Sequence, residues 1–374
     1  MCVAVLEELR DLFVRLAGIR SPSGEERELA DFVKEYARSL GLAVEEDDSA
    51  PGPLASGNLL IRIPGRGEGI PLALCGHIDT VPTDRAPKVI CENGIVRTDG
   101  ESILGADDKA AVAVLLLIMR DLTAEPPAAD VEVLLTAREE IGLAGAKAFD
   151  LAALRAKAVF VFDSSGEPGS VIVSAPTHKM VAAEFRGVAA HAGMFPEDGR
   201  SAVLAAARAI VAMEQGRVDE QTTTNVGVVA GGTATNIVPD RCVLRAEARS
   251  RDDAKAAALV ERILQAITLA AAETGVDVDI DVQEEYHGYR HGEDSLPVRI
   301  AAAAIAETEL TMTMLSGNGG SDGNIFNARG LPSLTLGVGY ERVHSPQEQM
   351  RLDRLVQVSD LAHALVRAAG AMTT

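Results

Sequence analysis

The sequence has few cysteines, no long hydrophobic run and fewer basic than acidic residues. Its 4 cysteines lie far apart without C-x-x-C spacing, which excludes a dense disulfide scaffold. The longest apolar run, 110–119, is about half of what a membrane-spanning helix needs. The N-terminal segment has no basic start, long apolar stretch or small-residue cleavage site. We therefore expect a cytoplasmic protein with no membrane partner.

The charge balance is strongly acidic. Lys and Arg number 35 and Asp and Glu 55, which gives a formal net charge of -20. Such a surface disfavours nucleic acid and anionic membranes as partners. A hydrophobic share of 47% is typical of globular proteins, and 374 residues suggest about two domains.

Strand-like and helix-like segments alternate through the first 175 residues. This alternation predicts an α/β fold with a mainly parallel sheet, and strands that are apolar throughout predict burial on both faces. We expect strands at 58–63, 71–76, 131–136, 158–162 and 170–175, and helices at 24–41, 109–122 and 144–154.

A different order of elements follows Pro176. Helices at 200–214 and 252–274 among four strands predict a ferredoxin-like βαββαβ unit. The first pattern resumes from about 292, with a helix at 296–307, a strand at 333–338 and a helix at 353–370. The sequence thus predicts an outer domain of 1–177 and 288–374, interrupted by an inserted domain of 178–287.

Metal-binding residue types follow the predicted strands. Because open α/β sheets bind ligands at the carboxyl ends of their strands, these side chains are expected to converge. They are His77 and Asp79, Glu139 and Glu140, Asp163, His344, and Asp107 and Asp108 at the start of the buried helix. Taken singly, each has another interpretation, as a helix cap, a solvated loop acid or a structural histidine.

Several carboxylates packed together need a compensating cation. Mixed histidine and carboxylate donors favour zinc, with cobalt or manganese as alternatives. The expected ligands are His77, Asp107, Glu140, Asp163 and His344. They suffice for two ions if one carboxylate bridges, and such a pair activates a bridging hydroxide and polarises a carbonyl. Glu139 is then the expected general base, and Asp79 the residue that orients His77.

The sequence resembles the co-catalytic zinc exopeptidases that include peptidase T, carboxypeptidase G and aminoacylase. The resemblance rests on GHIDTVP (76–82), LGADDKAAVA (104–113), AREEIGLAGA (137–146), VFDSSG (161–166), GVAAHAG (187–193), GGTATNIVPD (231–240), GGSDGN (319–324) and VHSP (343–346). It implies a zinc-exopeptidase-like α/β/α catalytic domain with a ferredoxin-like lid that pairs into a homodimer.

The same resemblance implies roles for individual residues. His77 and Asp163 would bind one zinc, Glu140 and His344 the other, and Asp107 both. It also implies that Glu139 is the proton shuttle, that Asp79 orients His77, and that the Asp107–Asp108 peptide bond is cis. In the lid, His191 would polarise the scissile carbonyl in its own or the partner subunit's site, and Asn236 and Arg249 would hold the substrate. Arg249 can also be read as a surface cation at a strand end.

These observations predict a metallohydrolase that cleaves an amide bond near the end of short peptides. The motifs look most like peptidase T, which favours an aminopeptidase or tripeptidase. An N-acyl amino acid deacylase, a carboxypeptidase and a non-catalytic metal-binding or peptide-binding protein remain the alternatives. The Gly-rich stretch 316–324 lacks the Lys of a phosphate-binding P-loop, and we expect no strand-then-helix context around it.

Overall fold

Helices and strands alternate along the computed structural model, which describes residues 3–373; Cys2 lies outside this range. The helices are α1 (Val3–Ala17), α2 (Arg27–Ser39), α3 (Ala106–Ala124), α4 (Ala144–Ala148), α5 (Ala202–Ala212), α6 (Asp253–Thr274), α7 (Leu296–Ala306), α8 (Asp322–Ala328) and α9 (Leu352–Ala371). The strands are β1 (Val44–Glu46), β2 (Leu59–Ile63), β3 (Leu72–His77), β4 (Val89–Glu92), β5 (Ile95–Thr98), β6 (Val131–Thr136), β7 (Ala158–Phe162), β8 (Ser170–Ala175), β9 (Thr177–Arg186), β10 (Gly216–Arg217), β11 (Thr222–Gly231), β12 (Arg241–Ser250), β13 (Asp277–Tyr286), β14 (Tyr289–Arg290), β15 (Thr313–Ser316), β16 (Ser333–Leu336) and β17 (Gln349–Arg351).

The described chain divides into two structural units. The first comprises residues up to Val173, His291–Ser316 and the chain from Ser321, and the second comprises Ser174–Arg290 and Gly317–Gly320. The expected domain bounds of 178–287 stay a prediction.

The first unit is built on a mixed sheet, which confirms the predicted α/β class. Its strand order is β1-β2-β6-β3-β7-β16-β8. The central neighbours β6, β3, β7 and β16 are parallel, whereas β1 and β2 on one side and β8 on the other are antiparallel. The expected mainly parallel sheet is therefore correct only for the centre, because the outer strands β1, β2 and β8 do not belong to the crossover units that impose parallel pairing.

A buried helix lies at the centre of the first unit. Every residue from Ala110 to Met119 in α3 is buried, as the apolar run predicts, and α1 and α9 pack against this helix. Strands β3 and β6 are buried along their whole length. This packing fixes the start of α3 and the ends of those strands, which carry the candidate site. No helix within residues 3–373 is both long and apolar enough to cross a membrane.

Two local predictions are wrong. The helix expected over 144–154 ends at Ala148, because Phe149 adopts an extended conformation and the Asp150 side chain accepts a hydrogen bond from the Ala152 N–H at 3.0 Å, which stabilises a short 3-10 turn. The second wrong prediction is that the Gly-rich stretch 316–324 has no strand before it and no helix after it. It follows β15 and leads into α8, because Ser321 and Asn324 form a capping box that starts α8.

The second unit has the predicted ferredoxin-like arrangement. Its antiparallel sheet has the order β10-β11-β12-β9-β13, with β10 as a short addition to the βαββαβ pattern. Helices α5 and α6 pack on this sheet around a separate apolar core that includes Phe185, Leu244, Leu259 and Ile263.

Candidate metal centre

The candidate centre lies where neighbouring strands of the first unit end. Strand β3 runs between β6 and β7, and the three are parallel, so their carboxyl ends are adjacent. His77 is the last residue of β3, Glu139 and Glu140 follow β6, and Asp163 follows β7. The packing of α3 brings Asp107 to the same place.

Asp107 lies between the two histidines. Its Oδ1 is 3.3 Å from His77 Nε2 and its Oδ2 is 3.3 Å from His344 Nε2. Asp163 Oδ1 lies 3.9 Å from His77 Nε2, and Glu140 Oε1 lies 3.1 Å from His344 Nε2. The five expected ligands thus form two sets, and the ligand atoms within each set lie within 4.8 Å of one another; a third group with this property joins His77 and Glu140 to Glu139, the expected base. Only Asp107 belongs to both of these sets, which is the geometry of a bridging carboxylate.

The backbone holds the His77 ring in one orientation. His77 Nδ1 lies 3.0 Å from the Asp79 carbonyl oxygen and 3.4 Å from Asp79 Oδ1. Because both are acceptors, the Nδ1 proton is retained in the neutral ring and the Nε2 lone pair faces Asp107. This is the tautomer that a metal-binding histidine needs.

The Asp79 carboxylate also holds the loop that carries the two glutamates. Its Oδ1 accepts the Glu139 N–H at 2.9 Å, and its Oδ2 accepts the Glu140 N–H at 3.1 Å. The Ser23 hydroxyl donates to the same Oδ2 at 2.6 Å. Asp79 is fully buried, so one carboxylate positions the expected base, an expected ligand and the His77 ring.

Asn58, which the sequence analysis did not identify, holds both ends of that loop. Its Oδ1 accepts the Ala137 N–H at 3.1 Å, and its Nδ2 donates to the Gly145 carbonyl at 3.0 Å. Nδ2 also donates to Asp47 Oδ2 at 2.6 Å, and the side chain is fully buried. The sequence signal for this residue was only its position directly before β2.

The start of α3 has an unusual backbone. The peptide bond between Asp107 and Asp108 is cis, as the resemblance implies. Asp108 Oδ2 accepts the His77 N–H at 3.1 Å. A Cβ atom at Gly76 would lie 2.7 Å from that oxygen, so any other residue at position 76 would displace the Asp108 carboxylate.

The charges of the site stabilise protonated imidazoles. Asp107 and Glu140 raise the pKa of His344 to about 10. Burial opposes protonation of His77, but Asp107 and Asp79 still raise the pKa of His77 well above its ordinary value. Both rings therefore lie in an environment that favours positive charge.

The same cluster disfavours additional negative charge. Burial and the charge of Asp107 raise the pKa of Asp163 well above its ordinary value, and burial with the charge of Asp163 does the same for Glu139. Protons and divalent cations are alternative ways to compensate such a cluster, so cation binding should release protons. The donor set of two imidazoles and three carboxylates therefore fits divalent cations of the zinc type.

Tyr340 is a further residue that sequence analysis missed. Its buried hydroxyl donates to Asp163 Oδ1 at 3.2 Å and restricts the orientation of that carboxylate. A buried tyrosine hydroxyl normally has such a partner, but the sequence does not say which one. Glu348, which accepts the backbone N–H of Asp107, was missed as well.

The second unit contains the three expected substrate-binding residues. His191 is exposed, and its Nδ1 accepts the N–H groups of Gly193 and Met194, both at 3.2 Å, which leaves the proton of a neutral ring on Nε2. The Ala192 N–H donates to the Asn236 carbonyl at 2.9 Å, so the segments of His191 and Asn236 are adjacent within this unit.

Arg249 is more buried than a typical surface cation, with 27% of its side chain exposed. Its Nε and Nη2 donate to Glu247 at 3.2 and 3.0 Å, and its Nη1 donates to the Tyr286 hydroxyl at 3.2 Å. The guanidinium therefore has one defined orientation at the end of β12.

Comparison with known proteins identifies similar chains. Residues 176–275 match the M20 peptidase dimerisation domain, and residues 86–191 match the M42 glutamyl aminopeptidase family. A tripeptidase from Staphylococcus aureus is 34% identical, with a TM-score of 0.92 over 98% of this chain and 99% of that one. The aminopeptidase PepT from Bacillus cereus is 35% identical, with a TM-score of 0.87 over 97% and 98% of the two chains. An uncharacterised Bacillus subtilis protein, YqjE, is 36% identical over 97% of this chain and 98% of its own.

Proposed function

Because the chain belongs to the M20 peptidase family and is a peptidase T-like metallopeptidase, we propose that it cleaves one residue from the end of short peptides. We propose that the chain binds two divalent cations and that zinc is the preferred metal. His77 and Asp163 would hold one cation, Glu140 and His344 would hold the other, and Asp107 would bind both. The observation that carries this proposal is that the two oxygens of Asp107 face the two imidazoles at 3.3 Å each.

Bound cations would supply Lewis acidity and lower the pKa of a water molecule. Glu139 accepts the proton of the attacking water and then gives it to the leaving amine. Two features support this role: the Glu139 backbone is fixed by Asp79, and the pKa of Glu139 is raised by burial and by Asp163. A carboxyl group with a raised pKa holds a proton more readily than an ordinary glutamate, which suits it to accept the proton and then to pass it on.

The second unit supplies the groups proposed to bind substrate. His191 would donate its Nε2 proton to the developing oxyanion. Arg249 would bind the terminal carboxylate of the peptide, since Glu247 and Tyr286 already fix its guanidinium and less rotamer entropy is lost on binding. Asn236 would bind the peptide backbone.

We further propose a homodimer through β11 of the second unit. Beyond Thr224, no strand within the described residues pairs with the outer edge of β11. Residues 225–231 on this edge have the sequence NVGVVAG, without charge or proline, and Val228 and Val229 are exposed. The opposite edge strand, β13, carries acidic side chains at alternate positions. Apolar edges without a paired strand favour strand pairing, whereas charged edges oppose it, so β11 is the proposed interface.

A double substitution of the β11 edge tests the dimer. Val228→Glu with Val229→Glu places like charges opposite one another across a twofold axis and should weaken the dimer by about 100-fold or more. Sedimentation equilibrium would measure this. Val282→Glu on β13 is the control and should leave association unchanged, because Val282 is nearly as exposed as Val228, at 42% against 45%, but lies on the charged edge. Equal association of the double variant and the unmodified protein would refute the proposed interface.

A peptide panel tests the activity itself. We expect hydrolysis of dipeptides and tripeptides with free amino ends, loss of activity on chelation, and recovery with zinc or cobalt. Mass spectrometry of the products would identify the cleaved end. Faster cleavage of N-acyl amino acids than of tripeptides would instead support the deacylase alternative, and activity that survives complete cation removal would contradict the proposed mechanism. The free thiols of Cys75, Cys91 and Cys242 agree with the proposed cytoplasmic location.

A further inference from the structure

We propose that Glu348 is a positioning residue that sets the distance between Asp107 and His344. The inference rests on the proposed function, because it concerns the residue that bridges the two cation sets. Glu348 is buried, with 1% of its surface exposed. Its Oε2 accepts the N–H groups of Leu104 and Gly105 at 3.0 and 2.8 Å, and its Oε1 accepts the N–H of Asp107 at 3.0 Å.

The irregular backbone at the start of α3 needs these acceptors. Leu104 and Gly105 precede the helix, and Asp107 and Asp108 interrupt it with non-helical backbone angles, with ψ of 100° at Asp107. N–H groups in such a segment have no partner in a regular helix, and leaving them buried and unsatisfied is costly. Glu348 supplies the acceptors from a distant part of the chain, and both of its oxygens are used. The direct hydrogen bond to the Asp107 N–H then restricts the backbone from which the bridging carboxylate extends.

The loop that carries Glu348 also carries His344. Backbone hydrogen bonds between Glu341 and Gln349, at 2.9 and 3.0 Å, close a loop around His344 and Glu348. His344 has a left-handed backbone with φ of 60°, and the Glu348 N–H donates to the Ser345 carbonyl at 3.0 Å. The loop that presents His344 is therefore fastened to the start of α3 by the Glu348 side chain. Glu348 thereby links the backbones of two ligands whose side chains lie 3.3 Å apart.

Two variants and a matched control test this role. Glu348→Gln replaces one acceptor oxygen by an NH2 group, which donates and cannot accept a backbone N–H, and Glu348→Asp keeps the charge but shortens the side chain. Both should weaken binding of Zn²⁺ by about 10- to 100-fold, the usual effect of removing a group that orients metal ligands. Competition with a chromophoric chelator would measure this on the purified full chain. The visible spectrum of the Co²⁺-loaded protein should change in both variants, and kcat should fall more than KM rises.

Glu132→Gln is the control for a purely structural effect. Glu132 is also buried, and its Oε2 accepts the N–H groups of Arg155 and Ala156 at 2.8 and 2.9 Å, but it lies near the opposite end of β6 from the candidate site. We expect this variant to lower the thermal unfolding midpoint and to leave Zn²⁺ affinity and the Co²⁺ spectrum unchanged.

The outcomes separate positioning from the other roles of a buried carboxylate. If Glu348→Asp keeps the affinity of the unmodified protein, Glu348 acts through its charge and the proposal is wrong. If Glu348→Gln, folded by circular dichroism, binds Zn²⁺ normally, or if Glu132→Gln weakens binding equally, the proposal is also wrong. Should Glu348→Gln fail to fold, Glu348→Asp decides alone. Failure of the proposed peptidase activity would be seen in the unmodified protein and would leave the Zn²⁺ titrations interpretable.

Discussion

Replacing Glu139 by Gln is expected to remove most of the turnover while both cations stay bound. Gln has nearly the same shape but cannot accept a proton, so the step that activates water loses its base. A positioned general base contributes about 10²- to 10⁴-fold, and kcat should fall within that range. Glu139 lies near His77 and Glu140, but it belongs to neither of the two ligand sets that share Asp107. Because both sets stay complete in this variant and the hydrogen bond from the Glu139 N–H to Asp79 is retained, cation content should not change.

The measurement combines steady-state kinetics with elemental analysis of the purified protein. Glu101→Gln is a suitable control, because Glu101 is exposed and paired with Arg85 at 3.1 Å, and this variant should retain full activity. Glu140→Gln should behave in the opposite way and lose cation content together with activity. A Glu139→Gln enzyme whose kcat stays within about tenfold of normal would place the base elsewhere.

The sequence predicts the convergence of the site residues because that convergence depends on local features. His77, Glu139 and Asp163 each follow an apolar strand that can be recognised from its composition, and parallel neighbours end at the same edge. The structure brings these side chains together with Asp107 and His344. Their individual roles as ligands and base remain predictions.

The residues that support the site could not be predicted in the same way. Asn58 and Glu348 act through backbone N–H groups that are 79 and 241 residues away along the chain. A hydrogen bond to a distant backbone group leaves no periodicity or composition in the sequence. Only the packed fold shows that a buried amide or carboxylate lies opposite those groups.

Composition also misled the sequence analysis at α8. The stretch around 316–324 contains several glycines, which favour loops, yet Ser321 and Asn324 start a helix with reciprocal hydrogen bonds. This helix places Asp322 in a buried position where the Thr136 hydroxyl donates to Oδ2, and burial raises the pKa of Asp322 to about 6. A capping pair thus outweighs glycine content when its side chains are buried and satisfied.

Replacing Asp107 by Asn is expected to release both cations, whereas Asp163→Asn should release mainly one. Asp107 offers one oxygen to each ligand set, and a neutral amide can neither bridge two cations nor compensate their charge. Lewis-acid stabilisation is worth several kcal/mol, and each factor of ten in rate is about 1.4 kcal/mol, so activity should fall by about 10³-fold or more.

Cation stoichiometry distinguishes a bridging ligand from a terminal one more directly than activity does. Asp121→Asn provides the matched control, because Asp121 lies on the same helix and its Oδ2 is 3.0 Å from His363 Nε2, in an aspartate–histidine pair outside the candidate centre. That variant should retain the full cation content. If Asp107→Asn loses only one cation while circular dichroism shows a native fold, Asp107 is a terminal ligand. The two 3.3 Å contacts of its carboxylate would then not reflect shared coordination.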